Sequence, residues 1–286
     1  MSDVVYGAYT RRELDEQYDT SLPAGGDVQP YFERFEAESA KARAELPFET
    51  NLRYGRHGRE LFDYLPAKRG APLFVWIHGG YWRRFSKEAT SFVAAVPAAA
   101  GAAVALVNYP LAPEATLDEI VASVRAAHGF AVARASEGDA PPSRIVVGGH
   151  SVGAQLAATV AAVAPLDGLL GISGLYDLEP LRHTKINETI AMDAATAARN
   201  APIHLPPRNA SRLVLSAGER EQAEFHRQQA DYAAAWRSWG GDVTEVPAPG
   251  LDHFSIALEL THPESALSRA LLGLLFTPKP PPSAPP

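Results

Sequence analysis

The stretch Val147-Gly148-Gly149-His150-Ser151-Val152-Gly153 constrains the fold of this chain more than any other. A β-branched run, Ile145 to Val147, leads into it, and a small-residue segment, Ala154 to Ala158, leads out. Strand, Gly-x-Ser-x-Gly, helix is the context of a nucleophile elbow, a sharp and strained turn that tolerates only small residues two before and two after the serine. Gly149 and Gly153 meet that demand. Such a turn lifts the Ser151 hydroxyl off a sheet edge and points the N-terminus of the next helix at it. A plain Gly-rich turn with an unreactive serine is the alternative, and the rest of the chain has to decide.

The flanking sequence supplies the sheet that such a turn needs. Strands are expected at 48–54, 61–65, 73–77, 103–109, 144–149, 168–173, 211–217 and 242–246. Helices are expected at 11–18, 31–46, 87–100, 117–135, 152–163, 222–239, 254–260 and 263–275. The first two strands, joined through Gly55 to Gly58, form an antiparallel hairpin. From the third strand onward helices alternate with strands, which predicts a mostly parallel sheet of about eight strands with helices on both faces. Residues 1–28 form an N-terminal extension, 29–276 the main domain and 277–286 a Pro-rich, disordered tail. Residues 175–210, broken by Pro180, Pro202, Pro206 and Pro207, follow the sixth strand and are too long for an ordinary crossover. They are a candidate lid or cap, or else a plain helical insertion.

Composition narrows the function classes. The chain has no cysteine, which excludes disulfides, a thiol nucleophile, zinc–thiolate sites and iron–sulfur clusters. A net charge of −7 argues against nucleic acid or an anionic membrane as partner. The uncharged segment 91–113 is mostly alanine and is broken by Pro97 and Gly101, so a helix, a turn and a buried strand fit it better than a membrane span. The first residues lack a basic-then-apolar pattern, and a cytoplasmic location is expected. No H-E-x-x-H, P-loop or dinucleotide fingerprint occurs in the sequence, so neither a metal nor a cofactor is expected.

A serine nucleophile needs a base, and the base needs an orienting acid; on such a sheet both follow the serine in the chain, acid before histidine. Of His183, His204, His226, His253 and His262, only His253 lies just past the last expected strand, in the loop Pro249-Gly250-Leu251-Asp252-His253-Phe254. Glu219 and Glu221, after the strand at 211–217, compete as the acid, and spacing does not separate them. An oxyanion requires preorganised N–H donors. Val152, first in the helix after Ser151, is one candidate, and Gly80 and Tyr81 of the loop His78-Gly79-Gly80-Tyr81-Trp82 are the others.

His-Gly-Gly-Tyr-Trp at 78–82 and Gly-His-Ser-Val-Gly at 149–153, followed by acid and histidine in that order, resemble the α/β-hydrolase superfamily. More narrowly, the chain resembles the kynurenine formamidase (arylformamidase) group. Leu14-Asp15-Glu16-Gln17-Tyr18, Asn108-Tyr109-Pro110-Leu111-Ala112-Pro113, Ser173 to Leu181 and Glu224-Phe225-His226-Arg227-Gln228 extend the resemblance over residues 12–275. It implies an α/β-hydrolase fold and a metal-free serine hydrolase acting on a small molecule, cleaving N-formylkynurenine to kynurenine and formate through an acyl-enzyme. It favours Glu221 as the acid, three residues after Gly218 and three before Glu224-Phe225, although Asp is commoner there. For a flat aryl leaving group, Tyr81, Trp82 and Phe254 are candidate walls, with core packing as the alternative for Trp82 and Phe254. A carboxylesterase, or a carbamate or amide hydrolase, would use the same triad. A non-catalytic binding protein on this fold is the distant rival. The extension at 1–28 is a candidate site cover or homodimer contact.

Overall fold

The computed structural model describes residues 4–137, 140–209 and 211–277. The expected tail lies outside these residues, apart from Thr277. The chain opens with a short hairpin, β1 (Val4–Tyr6) and β2 (Tyr9–Thr10), then α1 (Arg11–Gln17) and α2 (Gln29–Glu45). Strands β3 (Glu49–Arg53), β4 (Leu61–Leu65) and β5 (Leu73–Ile77) follow, then α3 (Ala95–Ala99), β6 (Ala103–Val107) and α4 (Leu117–Ala135). Next come β7 (Ile145–His150), α5 (Val152–Ala161), β8 (Gly168–Ile172), α6 (Asn187–Ile190) and α7 (Ala194–Asn200). The chain continues through β9 (Arg212–Ser216), α8 (Ala223–Ser238), β10 (Asp242–Glu245), α9 (Ser255–Leu258) and α10 (Ala266–Phe276).

Strands β3 to β10 form an eight-stranded sheet in the order β10-β9-β8-β7-β5-β6-β4-β3. Pairing is parallel from β10 to β6, and antiparallel where β4 meets β6 and β3 meets β4. The central strands are apolar on both faces because helices cover both. Leu73, Val75 and Ile77 of β5 face one core with α4, α5 and α8 residues such as Ile120, Leu156 and Trp236. Phe74 and Trp76, one residue out of phase, face the other with Phe35 of α2 and Leu271 of α10. Period-two alternation thus serves two cores at once.

Two local features depart from the expectations above. The β1–β2 hairpin, turning at Gly7 with φ +54°, was not anticipated, because strands of two and three residues are too short to show a period. The continuous helix expected at 87–100 is a 3-10 stretch, Glu88–Ala94, kinked at Thr90 (φ −125°) and followed by α3. Thr90 Oγ1 accepts the Trp76 indole N–H at 3.2 Å, so the side chain that anchors the kink is bonded to the sheet. The 175–210 segment, which the sequence leaves open as a lid or a plain helical insertion, is a series of short helices docked on α4, where Asp118 accepts hydrogen bonds from Arg199 Nη2 at 2.5 Å and Asn200 Nδ2 at 2.7 Å.

The N-terminal segment is fastened to the body by a buried polar network. The Tyr18 hydroxyl donates to Glu224 Oε2 at 2.8 Å and accepts from Gln228 Nε2 at 2.8 Å. Gln228 Oε1 in turn accepts the backbone N–H groups of Tyr176 and Asp177. Arg227 reaches Glu224 at 2.8 Å and Asp177 at 3.2 Å. Replacing Glu224 by Ala strands Arg227 and the Tyr18 hydroxyl. Glu224→Ala should lose about 2–4 kcal/mol in urea unfolding and make residues 1–28 more susceptible to limited proteolysis. Unchanged stability and protease resistance would show that the network does not hold the segment.

Candidate active site

Ser151 sits between β7 and α5 with φ 58° and ψ −126°, a left-handed backbone that a serine adopts only under constraint. The constraint is close packing. A Cβ on Gly149 would lie 2.2 Å from the carbonyl carbon of Gly153, and one on Gly153 would lie 2.1 Å from the Ile77 carbonyl oxygen. The Ser151 N–H donates to the Ile172 carbonyl at 2.8 Å, tying the turn to β8. The side chain lines a cavity of about 290 Å³, and among the described residues Ser151 Oγ has no hydrogen-bond partner.

His253 lines the same cavity, in the loop after β10. Its Nδ1 donates to Glu221 Oε2 at 2.6 Å, which leaves Nε2 as the ring's other nitrogen. The Glu221 side chain is fully buried, and its other oxygen accepts the Ser173 hydroxyl at 2.5 Å and the Gly218 N–H at 2.7 Å. Glu219, its sequence rival, instead accepts the Gly250 N–H at 2.7 Å. The turn from Gly218 to Glu221, closed by Glu221 N–H to Gly218 C=O at 3.0 Å, aims the two glutamates apart. Asp252 does not face its neighbour His253. It accepts the N–H groups of Phe254 and Ser255 and the Tyr31 hydroxyl, and these bonds hold its carboxyl below its usual range against the effect of burial. His226 and His262 are exposed.

The loop after β5 forms another wall. Gly80, Tyr81 and Trp82 have φ +108°, +48° and +57°, so the chain turns in a conformation that one glycine eases and two aromatic residues are forced to share. A Cβ at Gly80 would lie 2.4 Å from the Arg84 carbonyl oxygen. Gly79 packs so closely that its Cβ would meet Ser151 Cβ at 3.2 Å. Among the described residues the Gly80 and Tyr81 N–H groups donate no hydrogen bond. Val152 heads α5, where helix geometry leaves its N–H without an intrahelical acceptor. Tyr81 is anchored by its hydroxyl, which donates to the Tyr18 carbonyl at 2.7 Å. Tyr81 and Phe254 line the cavity, but Trp82 does not. Trp82 is fully buried and its indole N–H donates to Gln155 Oε1 of α5 at 3.0 Å. Its left-handed backbone turns the ring into the core, which corrects the expectation of a substrate wall there.

Two further histidines brace the site. His150 Nε2 donates to the His253 carbonyl at 2.8 Å, and the rings lie 4.6 Å apart. His78 Nδ1 donates to the Gly79 carbonyl at 2.8 Å, with the ring stacked on Tyr109 at 4.3 Å. Burial pushes His78 down to about 3 and holds His150 well below the ordinary histidine range. Both are therefore neutral at pH 7, and the carbonyls they donate to fix their tautomers. Ser173, His150 and Tyr18 support the site without having been anticipated. Ser173, at φ 49° just past β8, is detectable only as the Ser-Gly pair that ends a strand. Asp15 and Tyr18 of the N-terminal segment, Phe32 of α2, and Lys185 and Ile186 of the 175–210 segment complete the cavity wall.

A strand-turn-helix serine on a mostly parallel sheet, with a histidine–carboxylate pair delivered from later loops, defines a class. Residues 74–217 match the family model for the alpha/beta hydrolase fold, and the chain belongs to the α/β-hydrolase family. Within it, the chain is 30% identical to kynurenine formamidase of Salmo salar, over 92% of this chain and 96% of that protein. It is also 30% identical to kynurenine formamidase of Danio rerio, over 96% and 99%. A solved structure from Silicibacter sp. tm1040, provisionally assigned as a thioesterase, superposes with TM-score 0.81 at 31% identity, covering 91% of this chain and 99% of that one. A Pyrobaculum calidifontis esterase shares the fold at TM-score 0.68 and 19% identity, over 92% and 96%.

Because Gly153 abuts the Ile77 carbonyl, Gly153→Ala should force α5 away from the sheet. An expected loss of about 3 kcal/mol in urea unfolding and the loss of hydrolase activity would check this. Acid sensitivity follows from the buried histidines. Each is neutral when folded, but takes up a proton below about pH 6.5 when unfolded. Stability is therefore complete above that pH and falls towards pH 3 by up to about 1.4 kcal/mol per pH unit for each group. His128 of α4, which burial pushes down to about 4, is the one replaceable without touching the site. His128→Leu should recover about 2 kcal/mol of the loss between pH 7.5 and 5 in urea titrations. An unchanged pH slope would refute the assignment.

Proposed function

We propose that the protein is a serine hydrolase of arylformamidase type, cleaving N-formylkynurenine to kynurenine and formate. The observation that carries this is the 2.6 Å bond from His253 to the buried Glu221, on the same cavity as the strained Ser151, in a chain similar to kynurenine formamidases over nearly its whole length. Glu221 holds the imidazole with Nδ1 protonated, so Nε2 is the basic nitrogen facing the cavity. The Ser151–His253 hydrogen bond closes when substrate is bound, as such bonds commonly tighten in the complex.

In the first half-reaction His253 Nε2 takes the Ser151 proton while Oγ adds to the formyl carbon. The carbonyl oxygen becomes an oxyanion, stabilised by the N–H groups of Gly80, Tyr81 and Val152. The tetrahedral intermediate collapses with cleavage of the C–N bond, and His253 gives its proton to the departing aryl amine. In the second half His253 Nε2 takes a proton from water as the water oxygen adds to the formyl ester; the C–Oγ bond then breaks, His253 returns the proton to Ser151 Oγ, and formate leaves. Glu221 takes no proton in these steps and serves to orient the ring, its two oxygens accepting from His253, Ser173 and Gly218. No residue in this sequence of steps requires a metal. Tyr81 and Phe254 flank the leaving aryl ring. The N-terminal segment and residues 175–210 act as cover, since each contributes to the cavity wall.

The same triad would serve an esterase, and the pocket decides between them. The expected result is a higher kcat/KM for N-formylkynurenine than for p-nitrophenyl acetate. A strong preference for the ester would move the protein to the esterases. Ser151→Ala should lower kcat by about 10⁴-fold or more, and Glu221→Gln by about 10³–10⁴-fold, with the fold intact by circular dichroism. Full activity in Ser151→Ala would sink the mechanism.

A further inference from the structure

The cavity carries a charge that this chemistry does not use. Serine attack, proton transfer by His253 and amide stabilisation of an oxyanion need no cation, yet Arg83, Arg84 and Lys185 line the wall, and of these only Arg83 is half-buried while the other two are exposed. Among the described residues its side chain has one hydrogen-bond partner, the neutral Thr189 Oγ1, 3.3 Å from Nη1. Nε is buried with no partner at all, and Nη2 has none either. Part-buried arginines elsewhere have fuller partners: Arg43, Arg134 and Arg227 meet carboxylates at 2.7, 2.5 and 2.8 Å, and Arg59 and Arg212 each donate to two backbone carbonyls. Burial and the adjacent Arg84 guanidinium both act against the charged form of Arg83. A cation held in that position gains from an anion brought by a ligand. The free Nε–Nη2 edge has the fork geometry that binds a carboxylate by two parallel hydrogen bonds. Carboxylates stand elsewhere on the same wall, at Asp15 and Asp19 of the N-terminal segment, and neither ion-pairs with Arg83. The cavity therefore presents separated charges of both signs.

We infer that Arg83 is the specificity-determining residue of this site and receives the carboxylate of an α-amino acid arm on the aryl substrate. This rests on the arylformamide reading of the site, and supplies what the triad lacks, a means of choosing among formyl and acyl compounds. Asp15 and Asp19 are placed for the ammonium group of the same arm.

The test measures binding rather than turnover. Kynurenine and its decarboxylated analogue, which keeps the ring and the amine, are titrated calorimetrically into the wild type, Arg83→Gln and Arg83→Lys. The wild type should bind kynurenine about 10- to 100-fold more tightly than the analogue, the range expected of a charge-assisted pair. Arg83→Gln should bring the ratio close to one by weakening kynurenine alone, and Arg83→Lys should restore part of it. Equal binding of the two ligands by the wild type, no binding of kynurenine at millimolar concentration, or a ratio that survives Arg83→Gln would each overturn the inference. A merely structural Arg83 would weaken both ligands together and leave the ratio unchanged. Failure of the arylformamidase reading shows separately, as absent hydrolysis of N-formylkynurenine, whatever the binding ratio.

Discussion

The site depends on how closely α5 can approach the sheet. Gly149 and Gly153 leave no room for a Cβ, so the chain passes from β7 into α5 within one residue, and Ser151 takes the left-handed backbone that remains. Such a conformation costs about 1–3 kcal/mol and persists only where the surroundings over-determine it. Here they do. The whole of α5 is buried, and the Ser151 N–H is bonded to β8. The contact that strains Ser151 also sets the Val152 N–H at the head of the helix, directly after the serine. Position and electrostatics therefore come from one packing event.

A second constraint is the burial of a carboxylate. Removing Glu221 from water is costly unless its oxygens are satisfied, and three donors from separate places in the chain satisfy them: His253, Ser173 and Gly218. Those donors follow β10, β8 and β9, so the carboxylate joins the C-terminal ends of three parallel strands. His150, from the end of β7, adds a bond to the His253 carbonyl. A hydrogen-bonded pair assembled in this way holds the imidazole from its edge and from its backbone. That is the rigidity the proposed proton transfer asks of it, since misplacing a reacting group by about 1 Å can cost on the order of 100-fold.

Much of this was legible in the sequence because the central strands are buried on both faces. Continuous apolar runs such as Leu73–Ile77 and Ala103–Val107 stand out without any knowledge of partners. The glycines around Ser151 and the position of His253 after the last strand could be read in the same way. Other features depend on contacts between distant residues and leave no local trace. Spacing does not separate Glu219 from Glu221, because the direction of each side chain is set by the 218–221 turn and by Ser173, 48 positions away. Trp82 looks like a cavity residue until its backbone is known to be left-handed and its indole bonded to Gln155. The kink at Thr90 follows from a bond to Trp76, in a segment whose composition suits a plain helix.

The N-terminal segment shows why site and cover form one unit. Tyr18 bonds in two directions. Its carbonyl accepts the hydroxyl of Tyr81, a residue of the cavity wall, and its hydroxyl reaches Glu224 at the start of α8. Helix α8 begins two residues after Glu221, so the residue that fixes the loop after β5 also braces the helix that follows the carboxylate. A shift of Tyr18 would therefore be felt on both sides of Ser151 at once. The same segment places Asp15 and Asp19 on the wall, across from no matching ion pair, while the β5 loop that it anchors carries Arg83. Under the proposed mechanism, catalytic geometry and charge selection thus share one support, and exchanging the N-terminal segment for another of similar shape would disturb both the Tyr81 loop that Tyr18 anchors and the charges that Asp15 and Asp19 place on the wall.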